Sequence, residues 1–591
     1  MHVPRNGDFT TDRRVLLLAA MAVVVGLAGV AAAFVLLRLI ALCTNLAYFH
    51  TLSTQTRSLA RLHLGPASVL IPVAGALAIG LMARYGSEKI RGHGIPEALE
   101  AILIGRSRIQ LKVALLKPLS SAISIGTGGP FGAEGPIIMT GGAIGSLFAQ
   151  LFHMTAAERK VLLVAGAAAG MTAVFGTPIA AVLLAVELLL FEWKPRSFIP
   201  VVVASLVAAL GRTALLPAAP LFAHAGTSGT APGAVAGWLG VGLLCGLGSG
   251  LLTSMVYGAE DSFARLPIHW MWWPCLGGLV VGLGGLVEPA ALGVGYDNIA
   301  ALLQGGLGVR AVLALLVVKA VIWAVALGSG TSGGVLAPLL ILGGALGALA
   351  GHALPAASPG FWALLGMAAM MGGTMRAPLT AAIFAVELTG DFAAILPLFA
   401  ACGASYAVTV LLLKRSILTE KVARRGHHIV REYHADPFAL TAVRDVMARR
   451  VDTLPAAMEA AEAVALLTAP GPHHKSYPVV DPEGRVVGMV SRADVLDWLR
   501  HPPAGTLGEI ATREALVVAY PDEAVGDAAD RMLAHETGRL PVIAREDDRL
   551  MGILARRDLL RVRQRVAEEE QRREGMWRPA DGAAGWRASP T

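Results

Sequence analysis

The chain is poor in charge. Lys, Arg, Asp and Glu make up 15% of its 591 residues, where soluble globular proteins carry roughly 25%. With 55% hydrophobic residues, a soluble protein of this size is excluded, and part of the apolar surface must face lipid. Cysteine is scarce as well. Cys43, Cys245, Cys275 and Cys402 lie in or beside apolar segments without metal-ligand spacing, and read as small apolar filler. The apolar segments hold no Gly-x-Ser-x-Gly, no His-Glu-x-x-His and no paired aspartates. An intramembrane hydrolase would need such groups, and His93 with Glu134 lacks a nucleophile. The soluble part has no basic stripe interleaved with aromatics, which argues against a nucleic-acid partner. No short apolar stretch with a small-residue cleavage site opens the chain. The run Val15–Leu42 is long enough to span a bilayer and is expected to stay in the mature protein.

What is present is a near-continuous series of apolar segments from about residue 13 to 425. Val15–Leu42 and Ala234–Met255 are of spanning length. Ile95–Gly105 and Leu379–Leu388 are short and broken by Gly and Pro, the mark of half-helices that meet inside a membrane. Arg13 and Arg14 precede the series, and Lys414, Arg415, Lys421, Arg424 and Arg425 follow it. Those flanks predict that both ends are cytoplasmic. The expected organisation is a transmembrane domain at 1–425, a linker at 426–440, two soluble motifs at 441–500 and 501–562, and a charged, disordered tail at 563–591. Without organelle-targeting features, the expected location is a bacterial inner membrane.

Two internal repeats organise the chain. Gly166, Pro178 and Glu187 recur as Gly366, Pro378 and Glu387, a shift of 200 residues. Gly132-Ala-Glu-Gly-Pro136 recurs as Gly334-Val-Leu-Ala-Pro338, a shift of 202. Each follows a Gly/Ser/Thr-rich loop. Repeats of this kind build transporters with a site at the midplane. In the soluble part, the run from Tyr477 to Asp494 echoes the run from Leu540 to Asp558. Each copy reads strand, turn, strand, helix start, after an amphipathic helical stretch such as Ala524–Leu533.

An anion inside a bilayer is served better by backbone N–H groups at helix starts than by bare Lys or Arg, which are costly at that depth. Glycine-rich loops let such backbone approach a ligand. Three stretches fit: Gly92-His-Gly-Ile-Pro96, Gly132-Ala-Glu-Gly-Pro136 and Gly334-Val-Leu-Ala-Pro338. A carboxylate beside an anion site is a tethered competitor that protonation would release. Glu134 stands there, although the helix dipole alone also favours a first-turn glutamate. A cation pore would need several carboxylates, so a cation transporter with a regulatory soluble domain fits less well.

These stretches resemble the three anion-pathway signatures of CLC channels and transporters, GSGIP, G(K/R)EGP and GxFxP. The resemblance covers about residues 13–425. It implies a polytopic α-helical membrane protein of two inverted repeats with re-entrant helices, a homodimer with one pore per subunit, and chloride or a related anion as substrate. Glu134 matches the gating glutamate, flanked by Gly132 and Gly135. The backbone of Val335 and Leu336, with Gly94 and Ile95, would supply N–H donors. His93 stands where serine is common. Either it donates to the anion, with added charge if protonated, or it turns away and leaves binding to the backbone. Leu336 replaces phenylalanine, Ala133 replaces a basic residue, and Leu418 stands where a site tyrosine is common. Family exchangers commonly carry a second glutamate at the position of Leu188, which cannot hold a proton. That favours a passive, voltage- or pH-sensitive channel over an H⁺-coupled antiporter, with Glu192 one helical turn further on as a substitute. Glu187, paired with Glu387 in the repeat, reads as structural.

The soluble repeat resembles a tandem pair of CBS motifs, an α/β module. The resemblance implies either an adenine-nucleotide site, with Asp494 and Asp558 at the ribose and Ser491 at phosphate, or a purely structural module. Ala555 has no hydroxyl to match Ser491. Transport itself requires no cofactor on this reading.

Overall fold

The computed structural model describes residues 13–60, 62–224, 234–354, 359–426, 438, 441–470, 474–510 and 516–564. The linker expected at 426–440 and the tail expected at 563–591 lie almost entirely outside the described residues. Contacts separate two compact units, Met1–Glu432 and Tyr433–Thr591.

The first unit is built from helices. In order they are α1 (Arg14–Phe49), α2 (Leu70–Tyr85), α3 (Ile95–Leu103), α4 (Leu111–Gly126), α5 (Glu134–Gln150), α6 (Ala156–Phe175), α7 (Pro178–Leu184) and α8 (Pro195–Leu215). Then follow α9 (Ala234–Ala264), α10 (Trp273–Val287), α11 (Tyr296–Leu303), α12 (Val309–Gly328), α13 (Leu336–Gly351), α14 (Pro359–Met375), α15 (Pro378–Thr389) and α16 (Ile395–Leu412). The short α17 (Ile417–Arg424) closes the unit. The first eight helices are matched in order by the next eight, so the repeat seen in two sequence blocks runs through the whole unit. Packing repeats with it: α1 lies on α6 and α8, as α9 lies on α14 and α16.

Among the described residues, seven helical spans are long and apolar enough to cross a membrane. Helices suit that setting because each satisfies its own backbone polar groups. Leu206, Leu210, Leu247, Leu251 and Leu313 point outward from the unit, as lipid-facing side chains do. The tightest helix pairs, α5 with α6 and α13 with α14, are closed by glycine. A Cβ at Gly141 would collide with the Gly166 carbonyl, and one at Gly343 with the Gly366 carbonyl. Small residues at helix crossings replace the hydrophobic drive that lipid removes.

In the second unit, β1 (Leu454–Pro455) pairs parallel with β2 (Ser476–Val480), which pairs antiparallel with β3 (Val486–Ser491). A second hairpin joins β4 (Arg539–Ile543) to β5 (Leu550–Ala555). Both hairpins carry a register shift at the same place, after Val479 and after Val542. Each has its own core. Tyr477, Val479, Val490 and Val495 fill the first. Leu540, Val542, Leu554 and Met532 fill the second. The helix expected at Ala524–Leu533 forms at Val525–Ala534.

Candidate anion site

Backbone strain and backbone pairing bring the three glycine-rich stretches together. Gly92 and Gly94 adopt φ of 87° and 90°, a region other residues rarely enter. The Gly92 N–H donates to the Thr331 carbonyl at 3.0 Å, and the Gly334 N–H donates to the Gly132 carbonyl at 2.8 Å. The first stretch also lies against the second. A Cβ at Gly94 would stand 2.6 Å from the Gly135 carbonyl oxygen, and one at Gly135 would collide with the His93 carbonyl. Glu134 begins α5 and Leu336 begins α13, so two helix N-termini open at the junction.

Glu134 is fully buried. Its Oε1 accepts the N–H of Ala337, in the first turn of α13, at 3.0 Å. Its Oε2 is buried with no hydrogen-bond partner. A carboxylate thus sits on the open N-terminus of a neighbouring half-helix, where the free N–H groups and the dipole favour any anion.

His93, Ile95, Val335, Leu336 and Leu418 are all buried. The His93 Nδ1 has no partner. Neither Leu336 nor Leu418 brings a hydroxyl, and Ala133 is buried beside Glu134 without charge. Leu418 lies on α17, which packs on α3 and α14. Glu97 ties α17 down. Its Oε2 accepts the Gly94 N–H at 2.9 Å, and its Oε1 meets Lys421 at 3.6 Å and Arg425 at 3.1 Å.

Two buried lysines were not anticipated from the sequence. Lys117 on α4 donates to the carbonyls of Ile90 at 2.9 Å and Gly92 at 2.7 Å, and to Ser332 Oγ at 3.1 Å. Lys319 on α12 donates to the carbonyls of Ala291 and Gly293, each at 2.9 Å. Each cation clamps the loop that leads into a half-helix, α3 in one repeat and α11 in the other. The signal was available: Lys117 and Lys319 share the 202-residue shift of Gly132 and Gly334.

The expected proton-path residues divide. Glu187 accepts the Thr380 N–H at 2.8 Å and the Leu379 N–H at 3.3 Å. Glu387 accepts the N–H groups of Ile179 at 3.0 Å and Ala180 at 2.8 Å. Each glutamate caps the half-helix of the other repeat. Leu188 is fully buried. Glu192 is not one helical turn further along α7. A π-helical turn ends at Leu190, and Phe191 takes the left-handed conformation at φ 53°. Glu192 therefore lies in the loop before α8, where Ser197 Oγ donates to it at 2.6 Å and Lys160 and Lys194 pair with it at 3.7 and 3.6 Å.

In the soluble unit, Ser491 and Asp494 form a capping box. Ser491 Oγ accepts the Asp494 N–H at 3.3 Å, and Asp494 Oδ2 accepts the Ser491 N–H at 2.7 Å. Asp558 accepts the Ala555 N–H at 2.9 Å and pairs with Arg561 at 3.2 Å. Both aspartates already serve helix starts.

The sequence matches the voltage gated chloride channel family over residues 74–410. The chain belongs to that family. Residues 443–501 and 507–565 match the CBS domain. Among curated relatives, a putative chloride channel protein ClcB-like of Ralstonia nicotianae is 29% identical, over 62% of this chain and 87% of the relative. An H(+)/Cl(-) exchange transporter ClcA of Klebsiella pneumoniae is 30% identical, over 54% of this chain and 71% of the relative. A slow cyanobacterial Cl-/H+ antiporter shares the fold with a TM-score of 0.61 at 22% identity, covering 70% of this chain and 99% of the antiporter. A eukaryotic CLC transporter, at 20% identity and a TM-score of 0.55, covers 92% of this chain and 98% of the transporter. The protein is thus a multi-pass membrane protein with the CLC fold and a C-terminal α/β CBS pair, and its family is one of chloride transport.

Proposed function

We propose that the protein exchanges chloride for protons across the membrane, with Glu134 as the group that both occupies the anion path and takes up the proton. The observation that carries this reading is the Glu134 carboxylate on the α13 N-terminus, hydrogen-bonded by Ala337. In its charged form it competes with chloride for those donors. Protonation removes the charge and the reason to stay. The exchanger relatives support coupling.

Leu188 favours a second reading, passive conduction, because the buried side chain at that position carries no proton. Chloride efflux from proteoliposomes, recorded together with external pH, separates the two. Efflux with uphill proton movement supports exchange, and efflux without it supports the channel. Glu134→Gln, which cannot titrate, is expected to abolish proton movement while chloride still flows.

Several further assignments belong to the same proposal. The protein works as a homodimer with a pore in each subunit, in a bacterial inner membrane with both ends in the cytoplasm. Chloride reaches backbone donors at Gly94, Ile95, Val335 and Leu336. The CBS pair takes an adenine nucleotide through Ser491, Asp494 and Asp558. Multi-angle light scattering, and calorimetry with ATP and AMP on the full chain, test the first and last of these.

A further inference from the structure

The clamped loops of the two repeats are mates. Lys117 holds Ile90 and Gly92 ahead of Gly94 and Ile95, where α3 begins. Lys319 holds Ala291 and Gly293 ahead of Gly295 and Tyr296, where α11 begins. Gly92 and Gly94 have positive φ, and so do Gly293 and Gly295, at 62° and 78°. The first loop is a signature of the anion path. In inverted repeats its mate approaches the midplane from the opposite face.

Tyr296 is the counterpart of Ile95, and it brings a hydroxyl. That hydroxyl is buried without a hydrogen-bond partner, as is Oε2 of Glu134. Its ring is held edge-on by Phe175 and Phe222, with centroids 6.4 and 5.9 Å away. The loop itself rests on α13: a Cβ at Gly295 would stand 2.7 Å from Ile341 Cδ1. Ile341 lies one turn along α13 from Ala337, the residue that holds Glu134. A buried hydroxyl without a partner carries an uncompensated desolvation penalty, so a partner that arrives in another state of the protein offsets it.

We propose that Tyr296 is a positioning residue for the gate: its hydroxyl receives the Glu134 carboxyl when that group is protonated and leaves the N-terminus of α13. This rests on the gating role proposed for Glu134.

The test is chloride flux against pH in proteoliposomes for the full chain, Tyr296→Phe, Glu134→Ala and the double variant. Tyr296→Phe removes only an unpartnered hydroxyl, and unchanged thermal unfolding checks that it folds. Losing the partner of the protonated, released carboxyl makes release harder. The midpoint of acid activation is then expected to move toward acid by about one pH unit, the worth of one net hydrogen bond. In Glu134→Ala, flux is expected to be flat with pH, and adding Tyr296→Phe changes nothing. An unmoved midpoint in Tyr296→Phe, with Glu134→Ala flat, overturns the role of Tyr296 alone. So does an equal loss of flux on the Glu134→Ala background. A pH profile that persists in Glu134→Ala overturns the gate and this role with it.

Discussion

Lys117 and Lys319 occupy the same station in opposite repeats, and each fastens two backbone carbonyls of a loop that leads into a half-helix. A buried ammonium in a membrane is costly, and here each is surrounded by acceptors. Replacing either by Met strands those acceptors in an apolar interior, at about 1–3 kcal/mol for each group left unpaired. Lys117→Met is expected to lower the unfolding temperature in detergent and to weaken chloride binding, because the first signature loop loses its clamp. Lys117→Arg is expected not to rescue, since the pocket is sealed and a planar fork does not fit the geometry of an ammonium. Differential scanning fluorimetry and chloride calorimetry on the purified variants check both statements.

Glu187 and Glu387 cap each other's half-helices, which gives each a structural role. Glu387→Ala removes the acceptor for two N–H groups of α7. It is expected to cost about 1–2 kcal/mol, as the loss of a helix cap does. Glu387→Gln, which keeps an acceptor oxygen, is expected to cost less. The ratio of protons to chloride moved is expected to be the same in both variants and in Glu187→Gln. A changed ratio in Glu187→Gln, measured in the flux assay, would give that residue a proton role.

In the CBS pair, Ser491→Ala breaks the capping box at the helix after β3. It is expected to cost about 1 kcal/mol of local stability, read as faster amide exchange across residues 491–498. The proposed nucleotide site predicts that the same variant weakens ATP or AMP binding to the full chain tenfold or more by calorimetry. Equal binding in wild type and Ser491→Ala would leave the serine only its cap.

Much of this arrangement was legible in the sequence because glycine, proline and glutamate mark positions that side-chain drift cannot blur. Pro178 with Pro378 and Glu187 with Glu387 gave away the half-helices α7 and α15. Glu134 was legible because its neighbours Gly132 and Gly135 demand close backbone approach. The lysines were not, since charge in an apolar stretch reads as an edge until its acceptors are seen, and those acceptors are backbone carbonyls 25 to 28 residues away. Glu192 was misplaced for a local reason. A π turn and a left-handed Phe191 end the helix early, and a leucine-rich run gives no sign of either. Tyr296 was missed because a lone tyrosine near a Gly-x-Gly turn means little until the mate of the first signature is recognised.

The most direct test is chloride efflux from proteoliposomes of the full chain, recorded with external pH for wild type and Glu134→Gln. Chloride efflux that drives protons uphill in wild type, with chloride movement but no proton movement in Glu134→Gln, is the expected result. Proton movement that survives in Glu134→Gln would contradict the role given to that carboxylate. Absence of chloride efflux from a folded, reconstituted protein would contradict the assignment of this site to anion transport.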